Sequence, residues 1–234
     1  MKTYQELMEE IQSILNEGVY DKGVLKAFIL AGGPGSGKSY VTNKVTSGLN
    51  LKLINSDDAF ERGLKRAEMT LDVGGMDEDE FERAMEIRDR AKDVTKLKQE
   101  LAVEGRIGLV IDGTGKDFDK IRRQMRKLQS VGYDTYMIFV NTSLEVALQR
   151  NQMRDRKVPE EIVKDSWNQV QNNIGKFQNL FGNSNMIIVD NNNATENVLT
   201  KVWKRISKIV DAPVENHIGR KWIEQQLQMK DRRR

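Results

Sequence analysis

The sequence predicts an α/β fold in which a five-stranded, mostly parallel sheet is flanked by helices, and three observations carry that expectation. Short apolar runs recur along the chain, helical patterns separate them, and the first run feeds directly into a glycine-rich turn. Runs that stay apolar without alternating suit strands buried on both faces, as in parallel sheets. The runs are Ala27-Phe28-Ile29-Leu30-Ala31, Leu51 to Ile54, Ile107 to Ile111, Thr135 to Val140 and Met186 to Val189.

Taken in order, the chain opens with Tyr4, Leu7, Met8, Ile11, Ile14 and Leu15 at helical spacing, one stripe of an amphipathic helix that Gly18 stops. Residues 1–18 are therefore expected to form an appendage, residues 24–211 the main domain and residues 212–234 a C-terminal helical tail. After the first strand a helix is expected over Tyr40 to Leu49. Between the second and third strands lies a long insertion, Asp58 to Glu104, in which Asp77-Glu78-Asp79-Glu80 precedes a charged helix ending at Gly105. Those carboxylates suit a solvated helix N-terminus, with cation binding as the alternative. A further amphipathic helix spans Asn197 to Asp211, Ala212-Pro213 breaks it, and a short helix around Trp222 follows. Trp203 and Trp222 are expected as packing anchors rather than base-stacking platforms.

Composition narrows the function classes. At 234 residues the chain can bury one sizeable core, and no apolar stretch approaches the ~20 residues of a membrane span. The start lacks the pattern of a secretory leader. Without cysteine, and with His217 as the sole imidazole, neither disulfides nor a zinc centre is expected, and a reducing cytoplasm is compatible. The net charge is +3, although the end, Lys230-Asp231-Arg232-Arg233-Arg234, is basic; a solvated tail is expected there, with nucleic-acid contact as the alternative.

The chemistry begins at Gly32-Gly33-Pro34-Gly35-Ser36-Gly37-Lys38-Ser39, which fits the phosphate-binding loop between a strand and a helix. Glycines let successive backbone N–H groups converge on phosphates, and the following helix adds its positive end. Lys38 is expected to face the β- and γ-phosphates and Ser39 to ligate Mg²⁺. The third strand ends in Asp112-Gly113-Thr114-Gly115, which places a carboxylate at the carboxyl edge of the sheet, near a metal or an acceptor. Gly113 stands where a motor ATPase carries a water-polarising Glu, and no Asn-Lys-x-Asp guanine reader occurs, so transfer to a substrate is favoured over hydrolysis or switching. Asn55-Ser56-Asp57-Asp58 puts two acids just beyond the second strand. Asp57 is the candidate general base for a hydroxyl attacking the γ-phosphate, while the competing reading has Asp57 or Asp58 capping the next helix. Arg150 and Arg154 share a helix face and could clamp phosphate oxygens from a lid; a solvated basic helix is the alternative.

Together these pieces resemble the polynucleotide-kinase and zeta-toxin branch of P-loop kinases, from Ala27 to Asp190. The resemblance implies ATP bound along Gly33, Pro34, Gly35, Ser36, Gly37, Lys38, Ser39 and Tyr40, with Arg150 and Arg154 as lid arginines. It further implies Lys38, Asp57 and Arg154 as the catalytic set, and Mg²⁺ on Ser39 with Asp112 behind it through water. The acceptor would lie against Asp58, Arg62, Asp112 and Thr114. The Asp112-to-Gly115 stretch looks most like zeta-type members, whereas Arg150-Asn151-Gln152-Met153-Arg154 has the spacing of polynucleotide kinases. Those kinases carry an arginine three residues after the base; here Phe60 stands there, with Arg62 as the nearest substitute.

A separate resemblance lies at the N-terminus. Met1-Lys2-Thr3-Tyr4-Gln5-Glu6 is similar to the capsid-targeting leader of internal head proteins of T-even-type bacteriophages, and Leu7-Met8-Glu9 and Leu15-Asn16-Glu17 fit the Leu/Ile-x-Glu triplet after which that leader is removed. It implies a phage protein of the host cytoplasm or the packaged head, with a capsid scaffold as partner of residues 1–17; the lack of a long apolar stretch gives the expectation of no membrane partner. The expected activity is ATP-dependent phosphorylation of a hydroxyl on a nucleic acid or nucleotide-like acceptor. The alternatives are a zeta-type nucleotide-sugar kinase acting as a toxin, and a head protein that uses the fold only to bind nucleotide or DNA.

Overall fold

The computed structural model describes residues 18–153 and 158–232; the expected N-terminal helix, its leader resemblance and Arg154 fall outside them. Strand β1 (Lys26–Ala31) leads through the glycine-rich loop into α1 (Lys38–Val45), and β2 (Lys52–Ile54) follows. The insertion contains α2 (Ser56–Arg66), a 3-10 turn at Val73–Gly75 and the 27-residue α3 (Glu78–Glu104). Next come β3 (Leu109–Ile111), α4 (Phe118–Ser130), β4 (Asp134–Asn141) and α5 (Leu144–Gln152). The chain continues with α6 (Glu160–Phe181), β5 (Met186–Asp190), α7 (Glu196–Asp211) and α8 (His217–Asp231).

All five strands are parallel, in the order β2-β3-β1-β4-β5. The chain leaves β1 toward β2 on one side, while β3 sends it across to β4 on the other. The β1/β3 pair is thus the reversal point, outside whose carboxyl ends α/β sheets bind ligands. Successive strand residues serve opposite cores. Ala27, Ile29 and Ala31 join Leu109, Ile111, Met137 and Phe139 beneath α4 and α6, whereas Phe28 and Leu30 join Val110, Ile138 and Val140 beneath α1 and α7. The insertion has a core of its own around Phe60, Leu64, Ala84 and Ala91.

Each strand lies within two residues of its expected apolar run, because a strand covered on both faces is apolar along its whole length. The helices differ more. α1 begins at Lys38, two residues early, since left-handed Gly37 starts the turn, and it ends at Val45 rather than Leu49 because Gly48 and Asn50 both adopt positive φ. α3 ends at Gly105 as expected, and Asp77 caps it by accepting from the Glu80 N–H at 2.8 Å. The helix around Trp222 is 15 residues long, not short. Gly219 does not interrupt it: a Cβ there would lie 2.3 Å from the Gly132 carbonyl oxygen, so glycine permits the close seating of α8 on the loop before β4. Trp222 and Ile223 pack on the core beneath α4 and α6, and Trp203 packs on the opposite one while donating to the Ser47 carbonyl at 2.9 Å.

Candidate active site

The phosphate-binding loop sits at the reversal point and is fixed from several sides. Gly32 donates its N–H to the Thr114 carbonyl at 2.9 Å, which joins this loop to the one leaving β3. Gly35 has φ +76° and a Cβ would fall 2.1 Å from the Ala147 carbonyl oxygen, so the loop can press against α5 only as glycine. Asn191, 4% exposed beyond β5, donates to the Ser36 carbonyl at 2.7 Å from the other side. Among the described residues, Ser36 Oγ, Thr42 Oγ1 and Arg150 Nη1 are buried without a hydrogen-bond partner, a costly condition for polar groups unless a ligand relieves it. Lys38 and Ser39 begin α1, with Ser39 and Tyr40 exposed at the N-terminal end where the helix dipole favours anions.

The acids gather beside this loop. The Asp112 N–H donates to the Ile54 carbonyl at 2.9 Å, which extends the β2/β3 pairing and sets Asp112 next to the start of α2. Burial raises the Asp112 carboxyl above its ordinary value; the Lys38 charge opposes the rise, Asp57 adds to it, the Gly113 N–H opposes it and Asp58 adds again. Lys38, Asp57, Asp58 and Asp112 therefore form one electrostatic group. Neither aspartate caps α2. Asn55 does so, in extended backbone with its Oδ1 accepting from the Asp57 N–H at 2.8 Å, and its Nδ2 donates to Asp58 Oδ1 at 3.1 Å. The capping alternative for the two acids is thereby removed, because a side chain one residue before the helix reaches its first N–H groups better than one inside it.

The remaining candidates are spread around this group. Arg150 Nη2 donates to the Asn192 carbonyl at 3.2 Å, and its other nitrogen faces Gly37, where a Cβ would lie 3.5 Å away. Gly37, Tyr40, Arg150 and Asn191 to Ala194 line a cleft of about 340 Å³. Thr114 and Arg62 are exposed, the former above β3 and the latter on α2. Sequence reasoning missed three polar supports. Asn173 on α6, 5% exposed, donates to the Gly115 and Lys116 carbonyls at 3.0 and 2.8 Å and so holds the loop that begins at Asp112. Trp167 donates to the Thr142 carbonyl at 2.8 Å, and Asn192 accepts from the Ser143 N–H at 2.7 Å. Their signal was faint: an Asn or Trp within an amphipathic pattern does not announce a partner dozens of residues away.

A divalent cation fits this donor set. Among the described residues no group of three or more Asp, Glu, His or Cys could hold a metal, so a cation here would rest on few protein ligands, as Mg²⁺ does when phosphates and water complete its octahedron. Ser39 is exposed at the start of α1, and half-buried Asp112 beside Asp57 and Asp58 concentrates negative charge that a cation would offset. Among the described residues no helix is long and apolar enough to cross a membrane.

Known proteins place this geometry in context. The sequence profile of a family described as zeta toxin matches residues 17–202. A chain from the PezAT chromosomal toxin–antitoxin system of Streptococcus pneumoniae is similar in structure, with 17% identity and a TM-score of 0.56 over 98% of this chain and 93% of that one. A candidate kinase from Chloroflexus aurantiacus is similar at 15% identity and a TM-score of 0.51, over 78% of this chain and 98% of that one. At these identities the two structures speak for the fold alone. No curated protein sequence matches the chain.

Proposed function

The chain belongs to the zeta toxin family and is a P-loop kinase, a phosphotransferase, and from that premise we propose that it moves the γ-phosphoryl group of ATP onto a hydroxyl of a nucleotide-like acceptor. The observation that carries this reading is the grouping of Lys38, Asp57, Asp58 and Asp112 at the sheet's reversal point. The family implies ATP and, as a rule, Mg²⁺; held by Ser39 with Asp112 behind it, the ion would neutralise charge on the β- and γ-phosphates.

The residues divide the work by position. The backbone N–H groups of Gly33 and of Gly35 to Lys38 cradle the phosphates, Pro34 having none to give, and Lys38 balances their charge. The cleft between Tyr40, Arg150 and Asn191 to Ala194 receives the base, with Arg150 Nη1 gaining the partner it lacks. Asp57 accepts the hydroxyl proton while the acceptor oxygen bonds to the γ-phosphorus and the bond to the β–γ bridging oxygen breaks, so ADP leaves with that electron pair. Asp112, Asp58, Arg62 and Thr114 bound the acceptor side, and Arg154 serves as the lid arginine. Family membership and the presence of Phe60 in place of an arginine favour a nucleotide or nucleotide sugar over a nucleic-acid 5′ end. Phage origin and a capsid address in residues 1–17 remain proposals carried by the leader resemblance.

The test incubates the protein with γ-labelled ATP and separate pools of oligonucleotides, nucleosides, nucleotides and nucleotide sugars. Label is expected in the nucleotide or nucleotide-sugar pool. Asp57→Asn should keep MgATP affinity by calorimetry while turnover falls by about 10²-fold or more. Wild-type turnover by this variant would remove Asp57 as the base, and ATP consumption with no labelled pool would replace the kinase reading with hydrolysis.

A further inference from the structure

Helix α2, whose first turn carries Asp57 and Asp58, packs across α3. A Cβ on Gly63 would lie 2.4 Å from Ile87 Cγ2, so the helices cross closely there and a larger residue would have to push Ile87 aside. Phe60, one turn earlier, is buried to 1% exposure in this crossing. The residue after Ile87 is Arg88, whose guanidinium carbon lies 5.8 Å from the centroid of the Phe60 ring, within cation–π range. Other cations of α3 are engaged differently: Arg90 pairs with Glu86 and Lys92 with Asp89. Arg88 is exposed and makes no such ion pair among the described residues.

Position around α2 matters as much as proximity. Helical residues advance by about 100°, so Phe60 projects within about 60° of Asp57, whereas Arg62 points about 140° away. The rise from Asp57 to Phe60 is only about 4.5 Å. Arg88, stacked on Phe60, therefore arrives from α3 on the Asp57 side of α2. A planar guanidinium steadied against an aromatic ring is well suited to fork onto phosphate oxygens.

We propose that Arg88 is a specificity residue of the acceptor site, binding a phosphate of a nucleotide-like acceptor whose hydroxyl is presented to Asp57; this rests on the kinase reading above. Arg88→Ala and Arg88→Lys are compared with wild type using pools of ribonucleosides, their 5′-diphosphates and their diphosphate sugars, with γ-labelled ATP. Arg88→Ala should raise KM for the phosphate-bearing pools by about tenfold or more, with kcat falling less, and Arg88→Lys should recover only part of the loss. An unchanged KM, or an equal loss with the uncharged nucleosides, overturns the proposal. Failure of wild type to label any pool counts against the kinase reading instead. In that event calorimetry with each nucleoside 5′-diphosphate, the ATP site saturated with Mg²⁺ and AMP-PNP, still decides: about tenfold weaker binding by Arg88→Ala supports the role, and equal or absent binding by wild type and variant overturns it.

Discussion

At the amino-terminal end of the sheet, Lys26 is 1% exposed and its Nζ meets Asp134 Oδ2 at 2.9 Å and the Pro213 carbonyl at 3.0 Å. Asp134 also accepts from the Glu215 and Asn216 N–H groups at 2.9 and 2.8 Å, and nearby Tyr133 donates its hydroxyl toward the Ala102 and Ile107 carbonyls. At the carboxyl end, Ser36 Oγ and Arg150 Nη1 are buried with no partner among the described residues, and Asp112 is desolvated beside two further carboxylates. Both ends bury polar and charged groups, yet at the carboxyl end Ser36 Oγ and Arg150 Nη1 are left unmatched among the described residues. The difference separates a structural clamp, which ties the start of α8 to β1 and β4, from the proposed site, where a substrate would supply the partners.

The largest effect should come from removing a charge at the carboxyl end. Lys38→Ala deletes the cation proposed to face the β- and γ-phosphates, and phosphoryl transfer should fall by about three orders of magnitude or more while MgATP binding weakens sharply. Its melting temperature should change much less than its activity, because Lys38 is only half-buried at the start of α1. Calorimetry that finds wild-type MgATP affinity would break the contrast, since the carboxyl end would then bind its ligand without the group built to meet it.

The amino-terminal end should answer in stability instead. Asp134→Asn leaves Lys26 charged, buried and poorly paired, a change that costs about 3–5 kcal/mol and lowers the melting midpoint by roughly 6–20 °C in a chain of this size. Transfer activity at 20 °C, measured per folded molecule, should persist. A variant that melts with wild type would mean that Pro213 and water suffice for Lys26, and the clamp would lose its meaning.

How legible each end was in the sequence follows from the range of its interactions. The phosphate loop could be read because its conformation is written into adjacent glycines, and the strands because burial on both faces leaves a continuous apolar run. The Lys26–Asp134 clamp joins residues 108 positions apart, and its only local signal was a lysine set between Leu25 and Ala27 at the start of a buried strand. Asn55 was passed over as a cap in favour of the more acidic Asp57 and Asp58, although an Asn just before a helix caps it equally well. The placement of Arg88 over Phe60 depends on two helices crossing at Gly63, and a glycine inside an otherwise helical stretch was the one hint that something approached there. Asn173, Asn191 and Asn192 act on loops far from them in sequence, which no periodicity encodes.

The same exchange of Asp for Asn should have the opposite sign at the carboxyl end, and this smaller effect is the sharpest test of the comparison. Burial is the leading influence on Asp112 and raises its pKa above the ordinary 3.8, so the folded chain holds the proton more firmly than the unfolded chain does. Between that ordinary value and the raised one, the folded state binds more protons, and this residue's contribution to stability declines as pH rises. Asp112→Asn cannot lose a proton and escapes the decline. Measured without nucleotide, the melting point of the variant relative to wild type should be flat below pH 3.8, climb as Asp112 ionises and level off above its raised pKa. At neutral pH the variant should therefore be the more stable protein and the poorer kinase, as expected of a charge kept for a ligand rather than for the fold. A variant less stable than wild type at neutral pH would show that Lys38 already completes Asp112 from within the chain, and the distinction between the two ends of the sheet would fail at that residue.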